Sequence, residues 1–271
     1  MCITKVVDTL FTGINVSNFI KSIDYRIATT REELEKAYSL VYREYIKRDY
    51  TKENPSGLRL SIYNAHPKTI TFIVKMGEDV VTTATIISDS SLGLPMDEVY
   101  SNELRRFRND GKKIGEISML ASNTDFSENG SLIMPKSKKL FFIFFLFKLI
   151  FDYAYNVLKL DYICITINPK HKFIYEFLLF KDLGEPKTYN CVNGATAVAK
   201  YLDLNFCKKM WLKQKHSGVY KMVFEGKPAQ VKFSGKPILN HKDLKYFFVE
   251  KTDIFRNSSP SQIEYIKNFY Q

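Results

Sequence analysis

The sequence predicts an α/β (α+β) fold in which a mixed central sheet is flanked by helices. The segment Ile114–Ala121 alternates in character, with Glu116, Ser118 and Leu120 on one side, which is typical of a strand. A β-rich run at 161–167 follows an apolar helical segment, so we expect it to lie parallel to the strand at 114–121. Other strand patterns come in pairs joined by glycine-containing turns and indicate antiparallel hairpins.

The first half of the chain predicts a strand, a helix, a long loop and a hairpin. A Thr-x-x-Glu capping box at Thr30 and Glu33 opens the helix, whose apolar residues recur at helical spacing. The polar segment 50–67 contains two prolines, and loops of this length are often functional. In chain order the elements are predicted at 25–28, 30–46, 50–67, 69–75 and 80–87.

The second half continues the alternation of strands and helices. Asn193-Gly194 lies between two β-rich segments and indicates a tight hairpin. The predicted elements are a loop at 89–97, a helix at 100–109, a strand at 114–121, an apolar helix ending near 158, a strand at 161–167, a helix at 171–180, and hairpin strands at 187–190 and 195–202.

These elements predict three regions along the chain. Residues 1–22 show no strong period and are interpreted as an N-terminal arm. Residues 23–205 hold the alternating elements and are predicted to form one domain. Residues 206–271, with a short helix around Trp211 and a last helix near 261–270, are expected to form a C-terminal helical extension that packs on this domain.

The formal net charge is +11, from 40 Lys and Arg against 29 Asp and Glu. Such an excess favours an acidic partner, which can be nucleic acid, an anionic membrane surface or a small acidic protein. Basic and aromatic residues do not interleave as they do on an RNA-binding platform, so a nucleic-acid partner is the least favoured.

Cysteine and histidine spacing favours a cytoplasmic protein without a metal. The four cysteines and four histidines are scattered, so we expect reduced thiols and no bound metal. The first residues do not resemble a signal peptide. The apolar run 140–151 is interrupted by Lys148 and is shorter than the roughly 20 residues of a membrane span, so we interpret it as a buried helix or the lining of an apolar tunnel.

Glu116 is the residue on which a functional interpretation depends. Burying a carboxylate costs several kcal/mol unless it is paired or has a chemical role. One interpretation places the strand at a sheet edge, with Glu116 solvated or bridged to a lysine. The other makes Glu116 a general base or substrate anchor in a cleft.

Four segments resemble bacterial N-acyl amino acid synthases, relatives of the acyl-homoserine lactone synthases: Gly57–Leu60, Tyr63-Asn64, Asp89–Tyr100 and Gly115–Ala121. The order of elements resembles the GNAT acyltransferase fold, in which the fourth and fifth strands splay apart and admit an acyl thioester. The resemblance covers about residues 25–205. It implies an enzyme that transfers a fatty acyl group, expected to be long, from acyl carrier protein to the α-amine of an amino acid, with no bound cofactor.

Two departures from related families bear on the substrates. Ordinary GNAT enzymes hold the pyrophosphate of coenzyme A with a Gln/Arg-x-x-Gly-x-Gly/Ala loop, but the matching segment Met134–Lys139 lacks these glycines. This favours an acyl-phosphopantetheine thioester on a carrier protein over acyl-coenzyme A. Lactone synthases carry an Arg-Phe pair where Met119-Leu120 stands, so lactone formation is less expected. A GNAT enzyme using acyl-coenzyme A on another amine and a lactone-synthase-like signal synthase remain the alternatives.

The resemblance implies roles for residues of the strand 114–121. Glu116 is expected to accept the proton that the ammonium group must lose, directly or through water. The backbone N–H groups of Met119, Leu120 and Ala121 are expected to polarise the thioester carbonyl, with Ser118 assisting.

Binding roles are assigned to loops and to the Phe-rich helix. The carboxylate of the amino acid requires a cation, for which Arg59 is the first choice and Arg43 the second, with Tyr63 nearby. The acyl chain is expected to lie along Phe141, Phe142, Phe145 and Ile150. Two basic clusters are predicted to dock the acidic carrier protein: Lys136, Lys138 and Lys139, and Arg105, Arg106 and Arg108. Peripheral contact with a membrane surface would suit a lipid product.

Overall fold

A computed structural model describes residues 24–123, 136–213 and 239–270 of the chain. The N-terminal arm predicted at 1–22 lies outside the described residues, as do residues 124–135.

The described residues form one eight-stranded sheet in the order β1-β2-β3-β4-β5-β8-β6, with β7 paired to β8. Only β4 and β5 pair in parallel, so the predicted mixed sheet is confirmed. The strands are β1 Asp24–Ile27, β2 Ile70–Met76, β3 Asp79–Ser88, β4 Ile114–Ser122, β5 Tyr162–Ile167, β6 Lys181–Asp182, β7 Lys187–Tyr189 and β8 Ala195–Asp203.

The helices flank this sheet. They are α1 Arg31–Ile46, α2 Asp97–Asn109, α3 Lys136–Asn156, α4 Lys172–Phe177, α5 Leu204–Lys213, α6 His241–Lys245, α7 Ile254–Asn257 and α8 Pro260–Lys267. A 3-10 turn, Ile62–Ala65, interrupts the predicted loop 50–67. Helix α2 begins three residues before its predicted start because one turn precedes a kink at Tyr100, where φ is −120° and ψ is 23°.

Local sequence explains how several elements begin and turn. The Thr30 side chain accepts a hydrogen bond from the N–H of Glu33 at 3.2 Å, which is half of the predicted capping box. The Glu33 carboxylate accepts instead from the N–H of Thr29, at 3.0 Å. Asn193 and Gly194 have φ values of +56° and +76°, so the predicted hairpin between β7 and β8 is confirmed.

Helix α3 covers one face of the sheet as a buried helix. Phe142, Phe145 and Ile150 are at most 4% exposed and pack in one cluster with Ile117 of β4 and Ile163 of β5. This burial explains why so apolar a segment is helical without crossing a membrane. No helix in the described parts of the chain is long and apolar enough to span a bilayer.

The opposite face is covered by α1 and by residues 239–270. Phe247 packs edge-on against Tyr38 of α1, with ring centroids 5.5 Å apart. Nε of Arg31 contacts Oδ1 of Asp243 at 2.7 Å. The extension therefore packs on the sheet through α1, whereas the boundary predicted after residue 205 stays a prediction.

The sheet opens beside β4. Parallel pairing with β5 ends at Ile117 and Ile165, although β4 continues to Ser122. The strands therefore part after Ile117, as the predicted splaying requires.

A β-bulge lies where the strands part. Ser118 faces Thr85 of β3, but Ala121 faces Thr83, so β4 holds one residue more than β3 over this interval. Met119, in the bulge, has a φ of +56°.

The bulge makes the predicted alternation wrong beyond Ser118. Leu120 packs in the same cluster as Ile117, on the α3 side of the sheet. Met119 and Ala121 pack in the cluster that contains α1. An extra residue reverses the side-chain direction of everything after it, because side chains alternate strictly along a strand.

Candidate functional site

Glu116 lies in the interior of the protein, on a central strand. Its residue surface is 1% exposed, and its Cα partners are Ile87 of β3 and Cys164 of β5. Oε2 accepts a hydrogen bond from the backbone N–H of Met96 at 2.8 Å. The interpretation of a sheet-edge glutamate is therefore wrong, and the buried-carboxylate interpretation is supported.

Burial raises the pKa of Glu116 to about 8. The N–H of Met96 favours the charged form and lowers this pKa, while the negative charge of Asp97 raises it further. A carboxyl group with such a pKa exchanges a proton near neutral pH, as a general base requires.

Arg108 of α2 fixes the loop that carries Met96. Its guanidinium binds both oxygens of Asp89 at 2.7 and 2.8 Å, and both oxygens of Asp97 at 2.7 and 2.6 Å. These are two bidentate, charge-assisted pairs, and they raise the pKa of Arg108. They tie the beginning and the end of the loop to one side chain, which holds the N–H of Met96 over Glu116.

The turn before Met96 is equally constrained. Oδ2 of Asp97 accepts the N–H of Leu94 at 2.7 Å. Burial raises the pKa of Asp97, but hydrogen bonds from Arg108 and Leu94 outweigh burial, so this pKa lies below its usual range. Gly93 has a φ of +73°, and a Cβ there would lie 2.9 Å from Oδ2 of Asp97, so the turn favours glycine.

The arginines of α2 therefore have different roles. Arg108 binds two aspartates of its own chain, and the docking role predicted for it stays a prediction. Arg105 and Arg106 are exposed, with Arg106 over the ring of Phe107 at 4.9 Å. Their docking role stays a prediction.

Residues 118–121 border the opening between β4 and β5. Ser118 and Leu120 are half-buried, while Met119 and Ala121 are buried. Among the described strands, none pairs with the β5 side of this stretch. The proposed polarisation of a carbonyl by Met119, Leu120 and Ala121, with help from Ser118, stays a prediction.

Arg59 lies close enough to Tyr45 of α1 for its charge to act on the tyrosine hydroxyl. Arg59 is half-buried, and its N–H donates to the carbonyl of Tyr38 at 3.1 Å. Burial raises the pKa of Tyr45, the charge of Arg59 lowers it, and the charge of Glu116 raises it. The charges of both residues act on one hydroxyl, so Arg59, Tyr45 and Glu116 lie in the same region of the fold.

The two other predicted amino-acid ligands are placed differently. Tyr63 packs against the cluster that contains Met96. Arg43 is exposed, donates to Ser39 at 3.0 Å, and lines a separate cavity of about 360 Å³ with Asn123, at the far end of β4. The structure therefore brings Tyr63, but not Arg43, towards Glu116.

The predicted acyl-chain and lysine residues lie on α3. Phe142, Phe145 and Ile150 are packed in the core, and their role in an acyl channel stays a prediction. The side chain of Phe141 lies outside the described part of the structure, as do those of Lys136, Lys138 and Lys139. The backbone places these lysines in the first turn of α3.

Sequence analysis missed the contact of Met96 with Glu116 and the clamp made by Arg108. The first joins residues 20 positions apart, and the second joins α2 to Asp89, 19 positions away. The only sequence signal was the resemblance carried by the segment 89–100. In the described ranges, no group of three His, Cys, Asp or Glu side chains is placed to hold a metal ion.

A mixed sheet that opens between parallel strands, with a buried glutamate beside the opening, defines a GNAT-like N-acyltransferase. The comparisons agree: the model of the family "N-acyl amino acid synthase FeeM" matches residues 36–203. The chain belongs to this family, as its sequence resemblance predicted, and it is an N-acyltransferase.

Three solved structures are similar to this chain. FeeM, an N-acyl amino acid synthase from uncultured soil microbes, has a TM-score of 0.59 and 30% identity, covering 69% of this chain and 94% of that one. The AHL synthase LasI has a TM-score of 0.51 and 14% identity, covering 68% and 90%. A putative N-acetyltransferase from Lactobacillus plantarum has a TM-score of 0.45 and 9% identity, covering 68% and 99%. Curated protein sequences include no significant match.

Proposed function

We propose that this N-acyltransferase moves a long fatty acyl group from an acyl carrier protein thioester to the α-amine of an amino acid. The new bond joins the amine nitrogen to the acyl carbon, and the bond that breaks joins this carbon to the phosphopantetheine sulfur. Starting from the ammonium form, two protons leave the attacking nitrogen: one is taken up by the departing thiolate and the other is released to solvent. Membership of the N-acyl amino acid synthase family supports the reaction class.

The buried carboxylate of Glu116 is the observation that carries this proposal. An ammonium group cannot attack a carbonyl, because its nitrogen has no free lone pair. A carboxylate whose pKa is raised to about 8 is a stronger base than an exposed glutamate, so it accepts this proton more readily. The same proton can then pass to the thiolate that leaves.

The opening beside β4 supports a role in carbonyl activation. In the proposed complex the thioester enters between β4 and β5, and its oxygen faces the backbone of Met119, Leu120 and Ala121. Fixed N–H groups stabilise the negative charge that develops on a tetrahedral intermediate. Ser118 lies at the same opening and is half-buried.

The amino acid is proposed to bind between Arg59 and Glu116. Arg59 pairs with the substrate carboxylate, and Glu116 faces the amine, with Tyr45 nearby. The charges of both residues act on the hydroxyl of Tyr45, which supports this arrangement. Tyr63 forms a neighbouring wall.

The donor is proposed to be a carrier protein in the cytoplasm. The segment Met134–Lys139 lacks the glycines that hold coenzyme A, and the net charge of +11 suits a small acidic domain. The acyl chain is proposed to follow α3, where each buried methylene contributes about 0.8 kcal/mol. A lipid product of this kind leaves most easily through peripheral contact with a membrane surface.

A donor-and-acceptor matrix tests this proposal. The purified chain is given matched long-chain acyl-carrier-protein and acyl-coenzyme A, each with single amino acids, and products are identified by mass spectrometry. We expect an N-acyl amino acid and free carrier thiol, with carrier protein the better donor. A preference for acyl-coenzyme A would overturn the proposal that carrier protein is the donor. Products formed only with other amines would overturn the proposal that an amino acid is the acceptor. A lactone formed from S-adenosylmethionine would favour the signal-synthase alternative.

A further inference from the structure

The family match ends at residue 203, yet residues 239–270 contact the loop that leads into β2. The buried hydroxyl of Tyr270 donates to the carbonyl of Ala65 at 2.8 Å. The neighbouring His66 stacks on Tyr265, with ring centroids 5.9 Å apart, and meets Phe269 edge-on at 4.9 Å. The 3-10 turn Ile62–Ala65 is therefore held from the C-terminal side.

Asn64 connects this turn to the bulge of β4. It is 2% exposed, and its Oδ1 accepts the N–H of Ser61 at 2.9 Å. Its Nδ2 donates to Sδ of Met119 at 3.5 Å. The side chain that caps the turn therefore also contacts the bulged residue.

A buried polar cluster also links Asn64 to the strand that carries the bulge. Burial raises the pKa of Tyr38 to about 12, although the side chains of Thr71 and Asn64 lie near its hydroxyl and lower this pKa. Thr71 in turn bonds Thr85 at 3.0 Å, and Thr85 faces Ser118 in the sheet. Satisfied polar groups in an apolar interior fix a single arrangement, because each unpaired group would cost free energy.

We propose that the C-terminal extension is a positioning element of the acyl-transfer site and that Tyr270 is its decisive contact. By fixing Ala65, Tyr270 fixes Asn64, and Asn64 holds Met119 in the bulge where β4 and β5 part. This inference rests on the proposed function, because it assumes that the backbone of Met119 meets the thioester carbonyl. Tyr270 acts only through these residues and does not touch the substrate.

Replacing Tyr270 by phenylalanine tests the proposal, because the ring stays and only the hydrogen bond to Ala65 is lost. We expect kcat of Tyr270→Phe to fall about 5- to 50-fold, with KM for the thioester changed less than threefold. The matched control is Tyr265→Phe, because no hydrogen bond to the Tyr265 hydroxyl occurs among the described residues. This control should retain kcat within twofold.

Folding is separated from positioning by measuring kcat per folded molecule, well below the melting temperature of each variant. Tyr270→Phe with a lower melting temperature and unchanged kcat would give the extension a purely structural role and overturn the proposal. Equal kcat in the Tyr270→Phe and Tyr265→Phe variants would overturn it too.

A double-mutant cycle checks the route through Asn64. In an Asn64→Ala background, Tyr270→Phe should lower kcat less than twofold, because the connection is already broken. If Asn64→Ala does not fold, Met119→Leu replaces it, since this change removes only the sulfur acceptor. If the effects of the two substitutions on the activation free energy are fully additive, Tyr270 does not act through Asn64. Inactivity of the unmodified chain refutes the proposed function instead, so the two failures are distinguishable.

Discussion

Two carboxylates near the opening of the sheet have opposite surroundings. Glu116, on β4, is fully buried and accepts one backbone N–H, and its pKa is raised to about 8. Asp97, at the start of α2, is half-buried and clamped by Arg108, so its pKa is lowered. The pair shows that burial on one side and a bidentate arginine on the other shift the pKa values of neighbouring acids in opposite directions.

The two carboxylates therefore have different roles: Asp97 supports the loop, and Glu116 is the proposed base. Asp97 stays ionised, holds the loop and adds to the field that keeps the proton on Glu116. Among the residues that the structure describes, no Lys or Arg forms an ion pair with Glu116, so this group can gain or lose a proton without breaking one. Pairs of titratable groups whose pKa values are pushed apart are typical of acid–base sites.

Replacing Glu116 by glutamine removes the buried acid of the pair and should have the largest effect on activity. We expect the fold to persist and acyl transfer at neutral pH to fall about 100- to 10,000-fold, because an amide cannot accept the proton. The loss should shrink at high pH, where more amine is free. The exposed Glu98→Gln is the control, and steady-state rates are the readout. Full activity of Glu116→Gln would place the base elsewhere.

Arg59 is the cation proposed to bind the carboxylate of the amino acid. Arg59→Ala should raise KM for the amino acid about 10- to 100-fold, since a charge-assisted pair contributes about 1.5–3 kcal/mol. KM for the acyl donor should change little. Initial-rate kinetics with each substrate varied in turn measure both values, and an equal effect on the two would refute the anchor role.

Arg108→Ala removes the cation that binds Asp89 and Asp97. Two partly buried aspartates would lose their shared cation, so we expect about 1–3 kcal/mol of destabilisation in urea unfolding. The exposed Arg105→Ala on the same helix should change stability by less than about 0.5 kcal/mol. Activity of Arg108→Ala should also fall, as the N–H of Met96 moves. Equal stability of the two variants would show that the clamp contributes nothing.

The raised pKa of Glu116 predicts a pH dependence of stability. Below about pH 4.5 this group is protonated in both the folded and the unfolded chain and costs nothing. Between about pH 4.5 and 8 only the unfolded chain releases the proton, so the free energy of unfolding falls by up to about 1.4 kcal/mol per pH unit. Chemical denaturation across this range should give a flatter profile for Glu116→Gln, and parallel profiles would contradict the raised pKa.

The smallest effect is expected from the two lysines that we propose meet the carrier protein. Lys138→Glu with Lys139→Glu should weaken use of carrier protein several-fold at low salt and less at high salt, because such charges act through the association rate and are screened. Turnover of a minimal pantetheine thioester should barely change. Equal losses with both donors would place the lysines in the catalytic cleft, and no loss would direct attention to Arg105 and Arg106.

Local patterns determined much of this fold from sequence. The Thr30 cap, the Asn193-Gly194 turn and the strand around Glu116 depend on contacts within a few residues, so their signals are contiguous. Burial of the Phe-rich helix also follows from composition, because an apolar helix too short for a membrane must pack against something.

Tertiary structure alone decided how the site is assembled. The bulge at Met119 makes the predicted alternation wrong. It lies where β4 still pairs with β3 but no longer pairs with β5. Arg108 was predicted to face a partner because its sequence neighbours are basic, but its partners come from the loop after β3. Glu116 meets Met96, and Tyr270 meets Ala65, only when the chain has folded, and hydrogen bonds between distant residues leave no period in the sequence.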